Sequence, residues 1–456
     1  MTDDRSGSEL RPLVGVVVVN FHGDDRTEAC LDALAATTWP ADRLRVVVVD
    51  NGSAPEFSDR VRTRPGVRYL PAGSNLGFPG GCNLGIDALI DSCEFIGLVN
   101  NDALPDPGWL EPLVRELQTD PHIGGATPRL LLAGRFVRFT VAAPTRRAGG
   151  GDLRDLGAQL SGVRIGRQVV TDALELGDGF WGWETGEPAG RFAWTGDRAV
   201  ALVRLSGDDR QAVVGPLELR LSCVLGPTQV SVDAGGHPAA IAIDSQPRWE
   251  LVDEQVRVVH LVNSTGIVLH PDGSCGDRDY FALEDEVLST EAETFACSGA
   301  AALFRSAFLK DVGSMDERFF VYYEDVDLCW RGRLRGWRFR YVPESVVVHE
   351  HSATVGSGSP LAAHLAARNR LLTLTKVAPR SFAAVALRTT LGSLGRTAWN
   401  DVFRAVLRRQ RPEPDHAVAT TRVLLGYVRL VPHALVERRR LGRRSTVDRR
   451  SAMQVA

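Results

Sequence analysis

The chain has 456 residues and a mass of 49.6 kDa, enough for two or three domains at ~150 residues each. Hydrophobic residues at 44% and charged residues at 24% are globular proportions that exclude wholesale disorder, and a net charge of −3 excludes a general nucleic-acid binder. Seven cysteines, an odd number with no CxxC pair, argue against a disulfide framework or a structural zinc site and fit a reducing cytosol.

Met1-Thr2-Asp3-Asp4-Arg5-Ser6 lacks the charged-then-apolar pattern of a secretory leader, and no run of about 18 apolar residues reads as a membrane span. Leu13 to Asn20 and Arg45 to Asp50 are valine-rich runs, predicted as strands buried on both faces of a parallel sheet. The helical spacing of Cys30, Leu31, Leu34 and Ala35 between them completes a βαβ unit. Both strands end in polar residues, Asn20 and Asp50, where open α/β sheets bind ligands. A short strand at Gly66–Leu70, a helix over Gly81–Asp91, a strand at Phe95–Val99 and a helix over Trp109–Thr119 follow.

From about Arg135 the pattern becomes short alternating stretches, as at Ala199–Leu205, Leu217–Leu221, Gln229–Asp233 and Ile241–Ile243, read as a β-sandwich. Its Phe180, Trp181, Trp183, Phe192 and Trp194 either fill the sandwich core or stack on sugars. The α/β texture resumes by Val256, with a helix predicted over Gly299–Val312, so the sandwich reads as an insertion. Apolar stripes opposite arginines at Val402–Arg411, and again at Val423, Leu424, Tyr427, Val428 and Val431, predict two terminal helices. Residues 361–456 hold 19 Lys/Arg against 5 Asp/Glu, so a basic tail follows an acidic body; an anionic membrane surface is the expected partner.

Five motifs carry chemistry. Asp50-Asn51-Gly52-Ser53 places a carboxylate at a strand end, where it can accept from a nucleobase N–H or cap its own loop. Gly73 to Gly85 has five glycines in thirteen residues and opens a helix, which suits a backbone close to an anionic ligand or a plain tight turn. Asn100-Asn101-Asp102 offers oxygen ligands of the kind Mg²⁺ or Mn²⁺ takes beside substrate phosphates. Glu324-Asp325-Val326-Asp327 puts three carboxylates in four residues; Arg331 can pair with Asp327 four positions on, leaving Asp325 available as a base. Val346 to Val348 runs into His349-Glu350-His351, two histidines at a strand end with a metal or phosphate role in view.

Together these residues resemble a family 2 glycosyltransferase of the GT-A fold, in its rhamnosyltransferase-like branch. The matching residues are Val16–Asn20, Asp50–Ser53, Asn75–Asn83, Asn100–Asp102, Ser298–Gly299, Glu324–Arg331, Gly336-Trp337 and His349. The resemblance covers 12–134 and 256–377. It implies an α/β GT-A fold whose nucleotide-sugar-binding half (12–134) and acceptor half (256–377) flank an inserted all-β sandwich (135–255), with a basic helical extension over 378–456.

The implied reaction is inverting transfer of a sugar from a nucleotide diphosphate. Asp325 would be the general base. Asn20, Asp50, Asn75, Gly77, Asn101 and Asp102 would bind the donor; Ser298, Gly299 and Glu324 the acceptor. Asp102 and His349 would hold Mg²⁺ or Mn²⁺. The implied donor is dTDP- or UDP-linked, with rhamnose first, and the implied acceptor is a glycan or polyprenyl-linked molecule at the inner face of the plasma membrane. Asn100 stands where the family's DxD motif has its first acid, and no QxxRW motif of processive synthases is present, so a single addition is implied. A nucleotidyltransferase would need a lysine in its first glycine-rich loop, and residues 13–53 have none. A glycan-binding protein with a degenerate transferase domain is the remaining alternative.

Overall fold

The structure, a computed structural model, describes residues 11–53, 55–149, 152–205, 214–236, 238–350, 359–397, 399 and 415–455. The stripe expected at Val402–Arg411 and the second histidine, His351, lie outside them. The chain forms two compact units, one of Met1–Leu132, Val262–Ala282 and Glu286–Ala456, the other of Ala133–Leu261 with Leu283–Asp285.

The first unit is built on strands β1 (Val14–Asn20), β2 (Leu44–Asp50), β3 (Val67–Pro71), β4 (Phe95–Asn100), β5 (Ala103–Pro105), β6 (Ile123–Leu132), β7 (Val262–Ser264), β8 (Ile267–Leu269), β9 (Cys275–Asp277), β10 (Ala292–Thr294), β11 (Ala301–Arg305) and β12 (Arg338–His349). The main sheet runs β10-β12-β6-β11-β4-β1-β2-β3. Strands β1, β2, β3 and β4 are parallel neighbours, and β11 enters antiparallel between β4 and β6. All seven residues of β1 are buried, as a central strand with apolar layers on both faces must be. The register sets Asn20 beside Asp50 and Val19 beside Asn100, so three polar strand ends line up at one edge of the sheet.

Helices α1 (Asp24–Ala35), α2 (Pro55–Arg62), α3 (Gly77–Asp87), α4 (Leu110–Thr119), α5 (Ser306–Val312), α6 (Glu324–Arg333), α7 (Pro360–Val377), α8 (Arg380–Thr397) and α9 (Asp415–Arg444) complete the unit. Two expectations are corrected. Helix α3 spans Gly77–Asp87 rather than Gly81–Asp91, so every glycine of the run except Gly73 lies in the helix. A β-carbon on Gly85 would stand 2.3 Å from Val17 Cγ1, and one on Gly81 would stand 2.6 Å from Val19 Cγ1. These glycines let α3 lie directly on β1. The segment Gly299–Val312 is not one helix: Ala301–Arg305 is a strand, paired on both sides, and only Ser306–Val312 is helical.

The tail's basic residues are partly spent inward. Lys376 Nζ donates to Asp316 Oδ2 at 2.8 Å and forms an ion pair with Asp327 Oδ1 at 2.9 Å, while Arg331 Nε donates to Asp327 Oδ2 at 2.9 Å; Lys376, Asp327 and Arg331 are buried. The Asp327–Arg331 pair read from the sequence thus sits in a larger network joining α6 to α7. Arg438 donates to the carbonyls of Thr375 and Ala378, and Arg449 to those of Lys376 and Val377. Removing one member of a buried charge network leaves its partners uncompensated. Lys376→Met is therefore expected to lower unfolding stability by about 3–5 kcal/mol in a urea titration.

The second unit is a sandwich of a six-stranded and a five-stranded sheet whose strands pair antiparallel. The alternating stretches become its strands Arg198–Leu205, Leu217–Ser222, Thr228–Asp233 and Ala239–Ile243. The aromatics divide: Phe192 and Trp194 are buried, whereas Trp181 is 48% exposed with Arg154 over its ring.

Candidate active site

The polar strand ends form a braced scaffold. The Asn20 side chain is fully buried; its Oδ1 accepts from Thr27 Oγ1 at 2.7 Å and Asn101 Nδ2 at 3.0 Å, and its Nδ2 donates to Asp24 and Ser53. Asn20 and Asn101 spend these amide groups on fixing the β1 and β4 ends. Asp50 Oδ1 accepts from the N–H groups of Gly52 and Ser53 and from the Ser53 hydroxyl, and Oδ2 accepts from Tyr69 Oη at 2.6 Å. Burial raises the Asp50 carboxyl's pKa, and these donors outweigh burial to hold it below the usual range. It is an ionised acceptor at neutral pH. Neighbouring Asn51 ties the loop to α3 through Gly77 O at 2.9 Å, with its own Oδ1 buried and unpartnered.

Asn75 Oδ1 accepts from Gly77 N at 2.9 Å. Gly77 has φ +72°, and a β-carbon there would stand 2.4 Å from the carbonyl oxygen of Phe320. Phe78 N–H also bonds that carbonyl at 2.8 Å. The donor-side loop and the segment leading to the acid cluster are therefore one packed piece.

Asp102 and His349 meet because β5 pairs antiparallel with the end of β12, His349 opposite Ala103. His349 Nε2 lies 3.2 Å from Asp102 Oδ1, both side chains almost wholly buried. His349 Nδ1 lies 2.6 Å from Asn263 Oδ1, an acceptor, which places a proton on Nδ1. Nε2 then faces both Asn100 Nδ2 at 3.4 Å and the Asp102 carboxylate oxygen, and its contact with the carboxylate needs a proton or a cation between the two acceptors. Asn100 Oδ1, in the adjacent strand end, is buried without a hydrogen-bond partner. Burial raises the Asp102 carboxyl's pKa, and the His349 ring outweighs it to keep the group ionised at ordinary pH. One carboxylate, one oriented imidazole and an orphaned amide oxygen fit a divalent ion whose other positions a diphosphate fills. Among the described residues no set of three His, Cys, Asp or Glu side chains would cage a metal alone.

The acid cluster opens α6. Asp325 Oδ2 accepts from Gly299 N at 2.8 Å and Oδ1 from its neighbour Val326 N at 2.7 Å. Gly299 thus supports the Asp325 carboxylate through its backbone. Burial raises the Asp325 carboxyl above its ordinary range against the pull of those two donors. Glu324 is pushed up to about 8, first by burial and then by the charge of Asp325, and its Oε2 has no hydrogen-bond partner. The two environments differ: both carboxyls are raised by burial, but Asp325 has two N–H donors that oppose the rise, whereas Glu324 has the neighbouring Asp325 charge adding to it.

Two residues escaped the sequence reading. Asp277, at the end of β9, has a buried, unpartnered Oδ1 and is raised to about 6 by burial, with Asp325 adding to the rise and His349 opposing it. It feels the charges of both Asp325 and His349. Ser298, expected on the acceptor side, is buried there and its hydroxyl lies beside Asp277. The second is Asn369 of α7, wholly buried, whose Nδ2 donates to the carbonyls of Phe319, Val321 and Tyr322 at 3.0, 2.9 and 2.8 Å. It clamps the segment in which Phe320, Tyr322 and Tyr323 all have positive φ. Neither residue lies in a motif, and both become visible only once the chain folds back.

Residues 15–136 match the family model for glycosyl transferase family 2, and residues 274–371 that for glycosyltransferase like family 2. The pre-mycofactocin glycosyltransferase of Mycobacterium tuberculosis is 31% identical over 149 residues, 30% of this chain and 31% of that protein. The N-acetylglucosaminyl-diphospho-decaprenol L-rhamnosyltransferase of the same organism is 41% identical over 73 residues, 16% of this chain and 23% of that protein. The matches thus span less than a third of the length of these curated relatives. A crystal structure of GalNAc-T7 with UDP, GalNAc and Mn²⁺ is similar at TM-score 0.44 and 12% identity, covering 86% of this chain and 51% of that one. The mannosyltransferase PcManGT from Pyrobaculum calidifontis, in complex with GDP-Man and Mn²⁺, gives TM-score 0.39 at 15% identity over 94% and 85%. Likeness at that level carries nothing about ligands. The two family matches flank the sandwich and fall on the mixed sheet, α6 and α7: the α/β unit, which has the expected GT-A type of fold, carries glycosyltransferase family 2 domain segments over residues 15–136 and 274–371.

Proposed function

We propose that the chain is an inverting, non-processive glycosyltransferase that moves a sugar, rhamnose first among the candidates, from a nucleotide diphosphate to a lipid-linked or cell-surface polysaccharide acceptor. The observation that carries this reading is the Asp325 carboxylate at the start of α6, which accepts from the Gly299 and Val326 N–H groups beside the buried Glu324. Such a group takes the proton of an acceptor hydroxyl while that oxygen attacks the anomeric carbon from the face opposite the diphosphate. The bond from the sugar to the diphosphate breaks as the new glycosidic bond forms. Asp50 is assigned to the nucleobase, and Asn75 and Gly77 to the donor loop. Asn20 and Asn101 serve the donor by holding the strand ends, and Ser298 and Glu324 face the acceptor. A Mg²⁺ or Mn²⁺ ion at Asp102 and His349 would neutralise the leaving diphosphate. The lipid-linked acceptor is supported by the name of the partial rhamnosyltransferase relative. The intact acid pair weighs against a degenerate, purely glycan-binding domain.

Calorimetry with dTDP-rhamnose, UDP-galactofuranose and UDP-glucose, each with and without Mg²⁺ or Mn²⁺, tests the reading. One donor is expected to bind, to lose at least about tenfold in affinity when the ion is chelated, and to lose it again in Asp102→Ala. Folded protein that binds none of a full donor panel would sink the proposal.

A further inference from the structure

Helix α9 is thirty residues, about 45 Å, long and has two unlike sides. Its inner side packs on α7 and α8 through Val423, Tyr427, Leu430 and Ala434, with Tyr427 Oη 2.8 Å from Thr375 Oγ1. Its outer side exposes five large apolar side chains: Val418 at 41%, Leu425 at 66%, Val428 at 63%, Leu435 at 44% and Val436 at 59%. Arg422, Arg429, Arg439, Arg440 and Arg443 are exposed among them. From Val418 to Arg444 the one carboxylate is Glu437, and it is half-buried. Helix α8 repeats the composition, exposing Val385 at 57% and Leu391 at 49% beside Arg388 and Arg396, and residues 361–399 contain no acid.

We propose that the outer face of α9 is a docking surface for an anionic lipid bilayer, on which the helix lies in the headgroup plane. Five apolar chains exposed on one helix face cost free energy in water and regain it in the acyl boundary, where the interleaved guanidinium groups meet lipid phosphates. A second copy of the chain fits poorly, because a two-fold contact would set the arginines of this face against themselves. No helix among the described residues is long and apolar enough to cross a membrane, so contact would be lateral rather than spanning. The inference does not depend on the proposed reaction.

Co-sedimentation of the full chain with phosphatidylcholine vesicles, with and without phosphatidylglycerol, is the test. The protein is expected to pellet with the anionic vesicles, to remain in the supernatant with the neutral ones, and to release as salt rises. Leu425→Glu with Val428→Glu should abolish pelleting. Arg422→Gln with Arg429→Gln should weaken it by about tenfold or more. Nucleotide-sugar affinity, read alongside, should stay unchanged in both double variants. Folded protein that ignores anionic vesicles overturns the proposal, as does a Leu425/Val428 variant that pellets like the parent. A dimer seen by light scattering and lost in that variant would assign the face to a second copy and equally overturn it.

Discussion

Asp325→Asn is expected to cut turnover by about 10²–10⁴-fold while leaving nucleotide-sugar affinity within about twofold, because it deletes proton acceptance from the acceptor side only. Glu324→Gln should differ sharply. Burial and the neighbouring Asp325 charge push the Glu324 carboxyl up to about 8, so a neutral amide of the same size should retain most of the activity near neutral pH. The pH profile follows from the same assignment. A base must be ionised to work, so the rate should rise with pH through a midpoint above the ordinary carboxylate range, as the raised Asp325 requires. Stability should move the other way. A carboxyl whose pKa is raised by folding keeps its proton longer in the folded chain than in the unfolded one, so its contribution falls as pH climbs from the usual glutamate range towards about 8. Single-turnover assays and unfolding titrations across pH check both limbs. Loss of donor binding together with turnover in a folded Asp325→Asn would show that the residue is not simply the base.

The second large effect is expected at Asn369, which touches no substrate in this reading. Three non-glycine residues in the left-handed region cost about 1–3 kcal/mol each and persist only where their surroundings hold them. One amide nitrogen does much of that holding for Phe320 and Tyr322, immediately before Tyr323 opens α6 and delivers Glu324 and Asp325. Asn369→Ala removes the donor from three carbonyls and should reduce kcat by about 10–100-fold, because small displacements of a catalytic group are expensive. The Phe320 carbonyl also receives Phe78 N–H, so the KM for the donor should rise as well. Leu371→Ala, a buried residue on the same helix, is the control: it should lower the melting temperature comparably while sparing kcat. If both variants lose activity in proportion to stability, Asn369 is a packing residue and not a positioning one.

Much of the sheet was readable because central parallel strands must be apolar on both faces, which is what Val16 to Val19 and Val46 to Val49 declare. The sandwich was readable from the opposite signal, strict alternation. The glycine run misled because glycine signals turns locally, whereas here close packing on Val17 and Val19 decides its place. Ala301 to Arg305 misled because a short apolar run fits helix or strand equally, and the choice was made by the open slot between β4 and β6. Asp50, Asp102, Asp325 and His349 stood out as acids and a histidine at element ends. Asp277 sits in a Gly/Ser/Asp stretch that reads as a turn, and Asn369 in an ordinary helix. What makes each of them matter is a neighbour from a distant part of the chain.

The point where the sandwich leaves the core has an evolutionary consequence. Strand β6 ends at Leu132 and β7 begins at Val262, yet Val262 pairs with Leu131 in an antiparallel ladder. The two ends of the insertion are thus as close as the two sides of a hairpin. A turn of a few residues could replace Ala133–Leu261 without altering the register of β6, β7 or β12. Lineages could therefore gain, exchange or lose the module in one genetic step, and the catalytic half and its appendage can diversify at separate tempos.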